Sequence, residues 1–378
     1  MLRGRLALIP AWIVLLNSGL AGEVKDLRVE NPLLRSPLCM NIDDPGPFTH
    51  PIAVYKAFGE WAQKNGIKGK FSLIPCAGGR AAVDGSAGEF PGHTKEERLE
   101  WIEMFKTLFA PNWSFTPECA THWFPWDFKH QRIMLEQPVE HIYLDSIPLE
   151  NQTKYIAETM RLWKNVGVEL DGLTTPWGGW KNVARNTSEA LYEIYKKDFS
   201  IYFAEYGEEP ALTYEDKENH RAAVSLRCLT SAFDGKRIEA GKPSVPCYHV
   251  GIIEQKDHWA GIEKLNQEYG DRLLWMTGRE IGLYYYTKAR LAWSAKEQDN
   301  KVALSLSTLF ETPCVTVSFT VAGLDLDKLI ISLEGKALAR IKARGKEFAP
   351  QTWFVEQGRV YLALKQLKSA SLLLDSAH

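Results

Sequence analysis

The sequence predicts an α/β protein that combines a β/α barrel with a small antiparallel β-sandwich at its C-terminal end. From about Ser36 to Ala295, short apolar runs alternate with longer amphipathic runs, as they do in parallel β/α units. After about Gln298 the pattern changes to period-two alternation with turn residues and no helical run. About seven or eight β/α units precede this change, so we expect an irregular barrel rather than an open sheet.

The predicted strands of the barrel are short and apolar. They are "PLCMNI", "KGKFSLIP", "WSFTPECA", "VELDGLTTP", "FSIYFAEY", "AVSLRCLT", "SVPCYHVGI" and "RLLWMT". Helical patterns lie between many of them. One of these, "TKEERLEWIEMFKTLF", begins with Thr94 as N-cap and has Glu97 three residues later, which is a capping box. The sandwich strands include "KVALSLSTLF", "CVTVSFTVAG" and "WFVEQGRVYLALK".

The N-terminus has the features of a secretory signal peptide. Arg3 and Arg5 form a positive start, the apolar run Leu6–Leu16 follows, and small residues come next. An uncleaved membrane anchor is the alternative, but Pro10 and the shortness of the run favour a signal. We therefore predict a signal peptide at residues 1–22, a barrel at 23–296 and a sandwich at 297–378, in a secreted or periplasmic protein with no membrane span after signal removal.

Composition narrows the possible functions. The formal net charge is -2 and no long basic run exists, so we expect no nucleic-acid partner. The six cysteines are scattered without a C-x-x-C pair, which argues against a structural zinc site.

The stretch "CMNIDDPGPF" places two carboxylates, Asp43 and Asp44, where the first barrel strand should end. In β/α barrels, the loops that follow the strands build the active site. Two carboxylates at such a point can divide the work, one binding a cation and the other acting as a base. The alternative is an ordinary Asp-Pro-Gly turn.

The stretch "PECATHWFPWDFKH" follows another predicted strand. Glu118, His122, Asp127 and His130 in this stretch are all potential metal ligands or neighbours of ligands. The alternative is an exposed aromatic loop with incidental histidines.

Two further strand ends carry candidate residues. In "LDGLTTPWGGW", Trp177 and Trp180 offer flat apolar faces that suit sugar rings, although core packing is the preferred reading for one of the two. In "SVPCYHVGI", His249 ends a strand and could act as a general acid, or it could be a buried, hydrogen-bonded histidine.

Taken in order, these motifs resemble the polysaccharide deacetylase (carbohydrate esterase) superfamily, over about Leu38 to Lys288. "NIDDPGP" matches the family's Asp-Asp pair, "TTPWG" matches part of its Arg-x-Pro-x-Gly loop, and "CYHVG" matches its strand-end His. "THWFPWDFKH" keeps only the first His of an i, i+4 pair, since Trp126 stands four residues after His122. The resemblance implies a distorted (β/α)7-type barrel.

The resemblance also implies roles. Asp43 would be the general base and His249 the general acid, while Asp44 and His122 would bind a divalent metal, above all zinc. Asp127 or His130 would complete the ligand set, and Thr174 replaces the arginine that orients the base. The substrate would be a polysaccharide or oligosaccharide that loses N- or O-acetyl groups. The residues lining its groove would be Trp123, Trp126, Trp177 and Trp180.

Two other classes of function stay open at this point. A glycoside hydrolase on a related barrel would use Asp43 together with Glu118 or Glu205 as its two carboxylates. A non-catalytic carbohydrate-binding protein would keep the aromatic residues without a working metal site.

Overall fold

The computed structural model describes residues 22–47, 49–203, 209–226, 232–298 and 301–376. Apart from Gly22, the predicted signal peptide lies outside the described residues. The α-helices are α1 (Ile52–Lys64), α2 (Lys95–Met104), α3 (Glu140–Ser146), α4 (Leu149–Asn165), α5 (Val183–Tyr195), α6 (Gly235–Glu239), α7 (Lys256–Tyr269) and α8 (Gly278–Arg290). Within the described ranges, none of the helices is both long and apolar enough to pass through a membrane.

Within the described residues, twenty strands accompany these helices. In the first part of the chain they are β1 (Glu23–Glu30), β2 (Ser36–Leu38), β3 (Met40–Asp43), β4 (Gly69–Leu73), β5 (Trp113–Pro117), β6 (Trp126–Asp127), β7 (Arg132–Ile133), β8 (Gly172–Thr174), β9 (Phe199–Phe203), β10 (Ala211–Asp216), β11 (Arg221–Ser225), β12 (Cys247–His249) and β13 (Leu273–Trp275). The rest are β14 (Ala292–Gln298), β15 (Lys301–Ala322), β16 (Leu329–Leu333), β17 (Lys336–Ala337), β18 (Ala339–Arg340), β19 (Thr352–Glu356) and β20 (Arg359–Ser376).

A row of parallel strands forms the first part of the molecule. One sheet has the order β12-β3-β4-β5, and a second has the order β10-β11-β9-β8, in which only β10 is antiparallel to its neighbour. A parallel bridge between Glu118 and Thr174 links the two sheets at the ends of β5 and β8. The mixed α/β class predicted from the sequence is therefore confirmed, while closure of the row into a seven-stranded barrel stays a prediction.

Helices cover this row because their apolar positions recur at helical spacing. In α1 the buried residues Tyr55, Phe58 and Ala62 share one face, which packs on the strands. Below them the rings of Phe71 and Trp113 stack with centroids 4.4 Å apart. The predicted capping box of α2 is confirmed by hydrogen bonds in both directions between Thr94 and Glu97.

A further sheet, antiparallel except for the β18/β19 pair, is built on the long strands β15 and β20, which pair along most of their length. The N-terminal strand β1 pairs with the second half of β15, and β14 pairs with the first half. One apolar cluster takes side chains from both halves of β15, including Leu304 and Val317. The predicted domain boundary at 296/297 stays a proposal. Strands from both sides of that boundary contribute to this sheet. Its sandwich form also stays a prediction.

Candidate metal centre

The ends of β3 and β5, two parallel strands separated by β4, bring the acidic residues together. Asp43 is the last residue of β3, and its neighbour Asp44 adopts a left-handed backbone conformation with φ 73°. Aspartate tolerates this conformation better than most residues do. The backbone N–H of Asp44 donates to Glu118 Oε2 at 3.2 Å, which ties the loop after β3 to the end of β5.

Asp44, Glu118 and His122 form one group whose potential ligand atoms all lie within 4.8 Å of one another. Nε2 of His122 is 3.4 Å from Asp44 Oδ1 and 3.4 Å from Glu118 Oε1. The family motif places the partner of His122 four residues after it, where this chain has Trp126. In the structure the partner lies four residues before His122 and is Glu118.

The dimensions of this group fit a divalent cation. Protein nitrogen and oxygen ligands lie about 2.0–2.2 Å from zinc, and two ligands of a tetrahedral ion are then about 3.4 Å apart. The two distances from His122 match that separation. One imidazole and two carboxylates are also donors that divalent metals accept. These three residues could therefore hold a metal ion.

The pKa values of the three residues show how the site is charged when no ion is bound. Burial raises the pKa of Glu118 to about 7, and the charge of Asp43 adds to the rise. Burial also raises the pKa of Asp44. For His122, burial lowers the pKa, but the hydrogen bond and charge of Glu118, together with the charge of Asp44, outweigh it and raise the pKa to about 9. An imidazolium between two carboxylates thus supplies the positive charge that a metal ion would otherwise supply.

A buried carboxylate supports the loop that carries His122. Glu140, the first residue of α3, accepts hydrogen bonds from the backbone N–H groups of Ala120, Thr121 and His122 at 2.8 to 3.1 Å. The hydroxyl of Tyr155 also donates to Glu140, at 2.5 Å. These bonds support the backbone at His122, whose φ is 72°. A positive φ is uncommon for residues other than glycine and needs support from the surrounding structure.

Asp43 is buried at the base of the site and fully engaged by polar neighbours. Its Oδ1 accepts from the Ser72 hydroxyl and from Asn41 Nδ2, and it lies 3.7 Å from the Lys70 ammonium. Its Oδ2 accepts from the Cys247 thiol at 2.7 Å. The side chain keeps 8% of its surface exposed, so the carboxylate is nearly but not wholly enclosed.

The remaining predicted residues divide into two groups. His249 is exposed at the end of β12, in register with Asp43 on β3, and its charge acts on Asp44. Trp123 and Trp177 are each 55% exposed, and their rings lie 6.1 and 5.6 Å from the ring of His122. The structure thus places one histidine and two aromatic faces beside the Asp44, Glu118 and His122 group.

Four other predicted residues make different contacts in the structure, and those contacts do not support the roles predicted for them. Asp127 and His130 pair with each other at 2.7 Å instead of joining Asp44 and His122, because Asp127 closes a local turn by accepting from the N–H groups of residues 129 and 130. Trp126 and Trp180 are buried in the apolar core, with 2% and 6% exposure, so they offer no face to a sugar. Glu205 lies outside the described residues.

Some residues of the site were not predicted. Glu118 was named only among several possible ligands, and the E-x-x-x-H spacing was the signal that could have selected it. Lys70 and Ser72 lie in a strand sequence that carries no motif, and Cys247 lies beside His249 in "CYHVG" without being predicted to take part. Glu140 begins a helix, where an acidic residue is ordinary.

Comparisons with known proteins find several solved structures at low sequence identity. No family model matches the chain, and no curated protein matches it. The structures found include the CE4 domain of a multidomain xylanase from the hindgut metagenome of Trinervitermes trinervoides, at 11% identity over 65% of this chain and 89% of that one, with TM-score 0.32. A CE4 family pseudoenzyme from Bacillus anthracis is similar at 11% identity over 67% of each chain, with TM-score 0.34.

A third structure is the peptidoglycan deacetylase PdaC from Bacillus subtilis, at 13% identity over 62% of this chain and 98% of that one, with TM-score 0.24. These structures are of the family that the sequence motifs resemble. At such identities and TM-scores, no activity is transferred from them to this chain.

Proposed function

We propose that the protein is a secreted or periplasmic metal-dependent carbohydrate deacetylase that removes N- or O-acetyl groups from a glycan. The observation that carries the proposal is the grouping of Asp44, Glu118 and His122 within 4.8 Å, next to the buried carboxylate of Asp43. A cation site beside a separate carboxylate is what metal-assisted hydrolysis needs.

The group Asp44, Glu118 and His122 would hold the ion, and zinc is the favoured metal because its ligands include nitrogen as well as oxygen. Such an ion, when bound, polarises a carbonyl oxygen and lowers the pKa of bound water to near ~7. Asp43 would accept the proton of the attacking water. His249 would donate a proton to the amine or alcohol that leaves, and the acetyl group departs as acetate.

The exposed rings of Trp123 and Trp177 would form the walls of the sugar groove. Their centroids are 5.7 Å apart, and both lie within 6.1 Å of the His122 ring centroid. Aromatic faces bind the apolar C–H patches of a sugar while leaving its hydroxyls free. A saccharide held there would present its substituents to the proposed metal ligands.

The geometry favours this reaction over glycoside hydrolysis. The two carboxylates of a glycosidase stand roughly 5 to 9.5 Å apart with the scissile bond between them. The glycosidase hypothesis needs Glu118 or Glu205 as the partner of Asp43. Ligand atoms of Glu118 instead lie within 4.8 Å of those of Asp44 and His122, which suits a shared cation and would engage Glu118 as a ligand.

For the C-terminal antiparallel sheet we propose a β-sandwich with a structural role. Two aromatic side chains of this sheet, Trp353 and Phe354, are 1% and 0% exposed. They contribute to packing and are not accessible to a sugar.

The test is acetate release from acetylated oligosaccharides by protein that has been stripped with a chelator and reloaded with zinc. The proposal expects activity that is lost on stripping, restored by zinc and absent in Asp44→Asn. Release of new reducing ends without acetate would instead identify a glycosidase. Saccharide binding with neither product would identify a binding protein.

A further inference from the structure

Lys70 is a buried charge to which the proposed mechanism gives no role. It lies on β4, its side chain has no exposed surface, and its ammonium sits 4.7 Å from the centroid of the Phe203 ring. Removing an ammonium group from water is costly unless hydrogen bonds and an opposite charge compensate. Burial lowers the pKa of Lys70, and the charges of Asp43 and Glu118 oppose that shift.

The hydrogen bonds of Lys70 lead to a single atom. Its Nζ donates to Asn41 Oδ1 at 2.7 Å and to Ser72 Oγ at 2.5 Å. Asn41 Nδ2 and the Ser72 hydroxyl then both donate to Asp43 Oδ1. Two relays therefore start at the ammonium of Lys70 and converge on one oxygen of Asp43.

The direction of these bonds is set by Lys70. An ammonium can only donate, so it must meet the oxygen of the Asn41 amide, which turns the amide nitrogen toward Asp43. The same contact uses an acceptor position of the Ser72 hydroxyl and leaves its one hydrogen for Asp43. Without the ammonium, Asn41 could flip and Ser72 could turn to Thr174, whose Oγ1 is 2.9 Å away.

We propose that Lys70 is a positioning residue that holds the Asp43 carboxylate through Asn41 and Ser72, so that Oδ2 faces the reacting groups. The role deepens, and rests on, the proposed deacetylase function. Oδ1 is held by two hydrogen bonds and by the nearby charge of Lys70. Oδ2, which accepts from the Cys247 thiol, is then the oxygen that takes a proton. The hydrogen bonds of Lys70 go to Asn41 and Ser72 and to none of the proposed metal ligands, so we expect it to act through Asp43.

The test compares Lys70→Met, which keeps the length of the side chain and removes its charge, with Lys68→Met. Lys68 pairs with Glu280 at 2.8 Å and makes no contact with Asp43. We expect kcat for acetate release to fall about 100-fold in Lys70→Met, as for a misplaced catalytic group, with KM and zinc content unchanged. Lys68→Met should match the parent protein. A kcat within threefold of the parent in Lys70→Met would overturn the inference.

A double-mutant cycle with Ser72→Ala separates positioning from a general loss of stability. Because Lys70 works partly through Ser72, the double variant should lose less activity than the product of the two single losses. Fully multiplicative losses would overturn the proposal. If Lys70→Met does not fold, the single variant Ser72→Ala tests the proposal. A kcat for Ser72→Ala equal to that of the parent protein would contradict the hydrogen-bond relay.

A crystal structure of Lys70→Met tests the positioning independently of activity. The Asp43 carboxylate should rotate away from Ser72, and an unchanged rotamer would overturn the inference. If the parent protein releases no acetate, the proposed function is wrong. The rotamer of Asp43 in Lys70→Met would still show whether Lys70 positions that carboxylate.

Discussion

Nε2 of His122 lies 3.4 Å from Oε1 of Glu118, the residue four positions before it in the chain. This contact joins the end of β5 to the loop that follows it, and Asp44 completes the group from the end of β3, two strands away in the same sheet. The proposed metal site is therefore built by two strand ends and one short loop, and it depends on that loop keeping its shape.

Zinc binding should release protons. The pKa of His122 is raised to about 9, so its imidazole is charged at pH 7 and must lose a proton before it can ligate. Affinity for zinc should therefore rise with pH up to about 9 and fall as the pH drops below it. Calorimetry at pH 7 in two buffers of different ionisation enthalpy should show about one proton or more released per zinc.

His130→Gln serves as the control, because His130 pairs with Asp127 outside the site, and it should release the same number of protons. Zinc binding without proton release, or unchanged binding in His122→Gln, would contradict the assignment of His122.

Glu140 should be the main support of the ligand loop. Glu140→Ala removes the acceptor of three backbone N–H groups, and each unsatisfied buried donor costs about 1–3 kcal/mol. We expect the free energy of unfolding to fall by about 3 kcal/mol or more in urea titrations. Tyr155→Phe removes one donor to Glu140 and also the acceptor of the Trp126 N–H, and it should cost about 1–3 kcal/mol. A loss below about 1 kcal/mol in Glu140→Ala would show that the loop holds itself.

Trp123 and Trp177 should contribute to binding and not to stability. Both are 55% exposed, so Trp123→Ala and Trp177→Ala should weaken binding of an oligosaccharide about tenfold or more while leaving the melting temperature unchanged. Trp293, which is 42% exposed on the antiparallel sheet, gives the matched control. Equal oligosaccharide affinities of all three variants, measured by calorimetry, would contradict the proposal that Trp123 and Trp177 line the sugar groove.

His249 should act only where the leaving group needs a proton. His249→Gln should lower kcat for an acetylated sugar by about 10²–10⁴-fold. Its effect on 4-nitrophenyl acetate should be small, because nitrophenolate leaves without protonation. A similar loss with both substrates would mean that His249 shapes the site and does not serve as an acid.

The sequence predicted the parts of this site that follow from strand ends. Asp43, Asp44 and His249 close neighbouring parallel strands, so the rule that strand ends meet at one edge sufficed to group them. His122 required its loop, and the choice between Glu118 and Asp127 as its partner could not be made from residue types alone. Asp127 does not pair with His122 because its carboxylate accepts hydrogen bonds within a local turn. Only the backbone geometry reveals that turn.

Long-range pairing set the other limits. Lys70 lies in "KGKFSL", an ordinary strand sequence, and its importance depends on Asn41 and Ser72 facing it inside the sheet. Likewise β1 pairs with β15 across nearly the whole length of the chain. Local alternation of apolar residues carries no information about which distant strand will be the partner.

The most direct test of the central claim is anomalous diffraction at the zinc edge from a crystal soaked in zinc, for the parent protein and for Glu118→Gln. We predict one strong peak between Asp44, Glu118 and His122 in the parent protein and its loss in Glu118→Gln. A peak at Asp127 and His130, or no peak among the three proposed ligands, would contradict it.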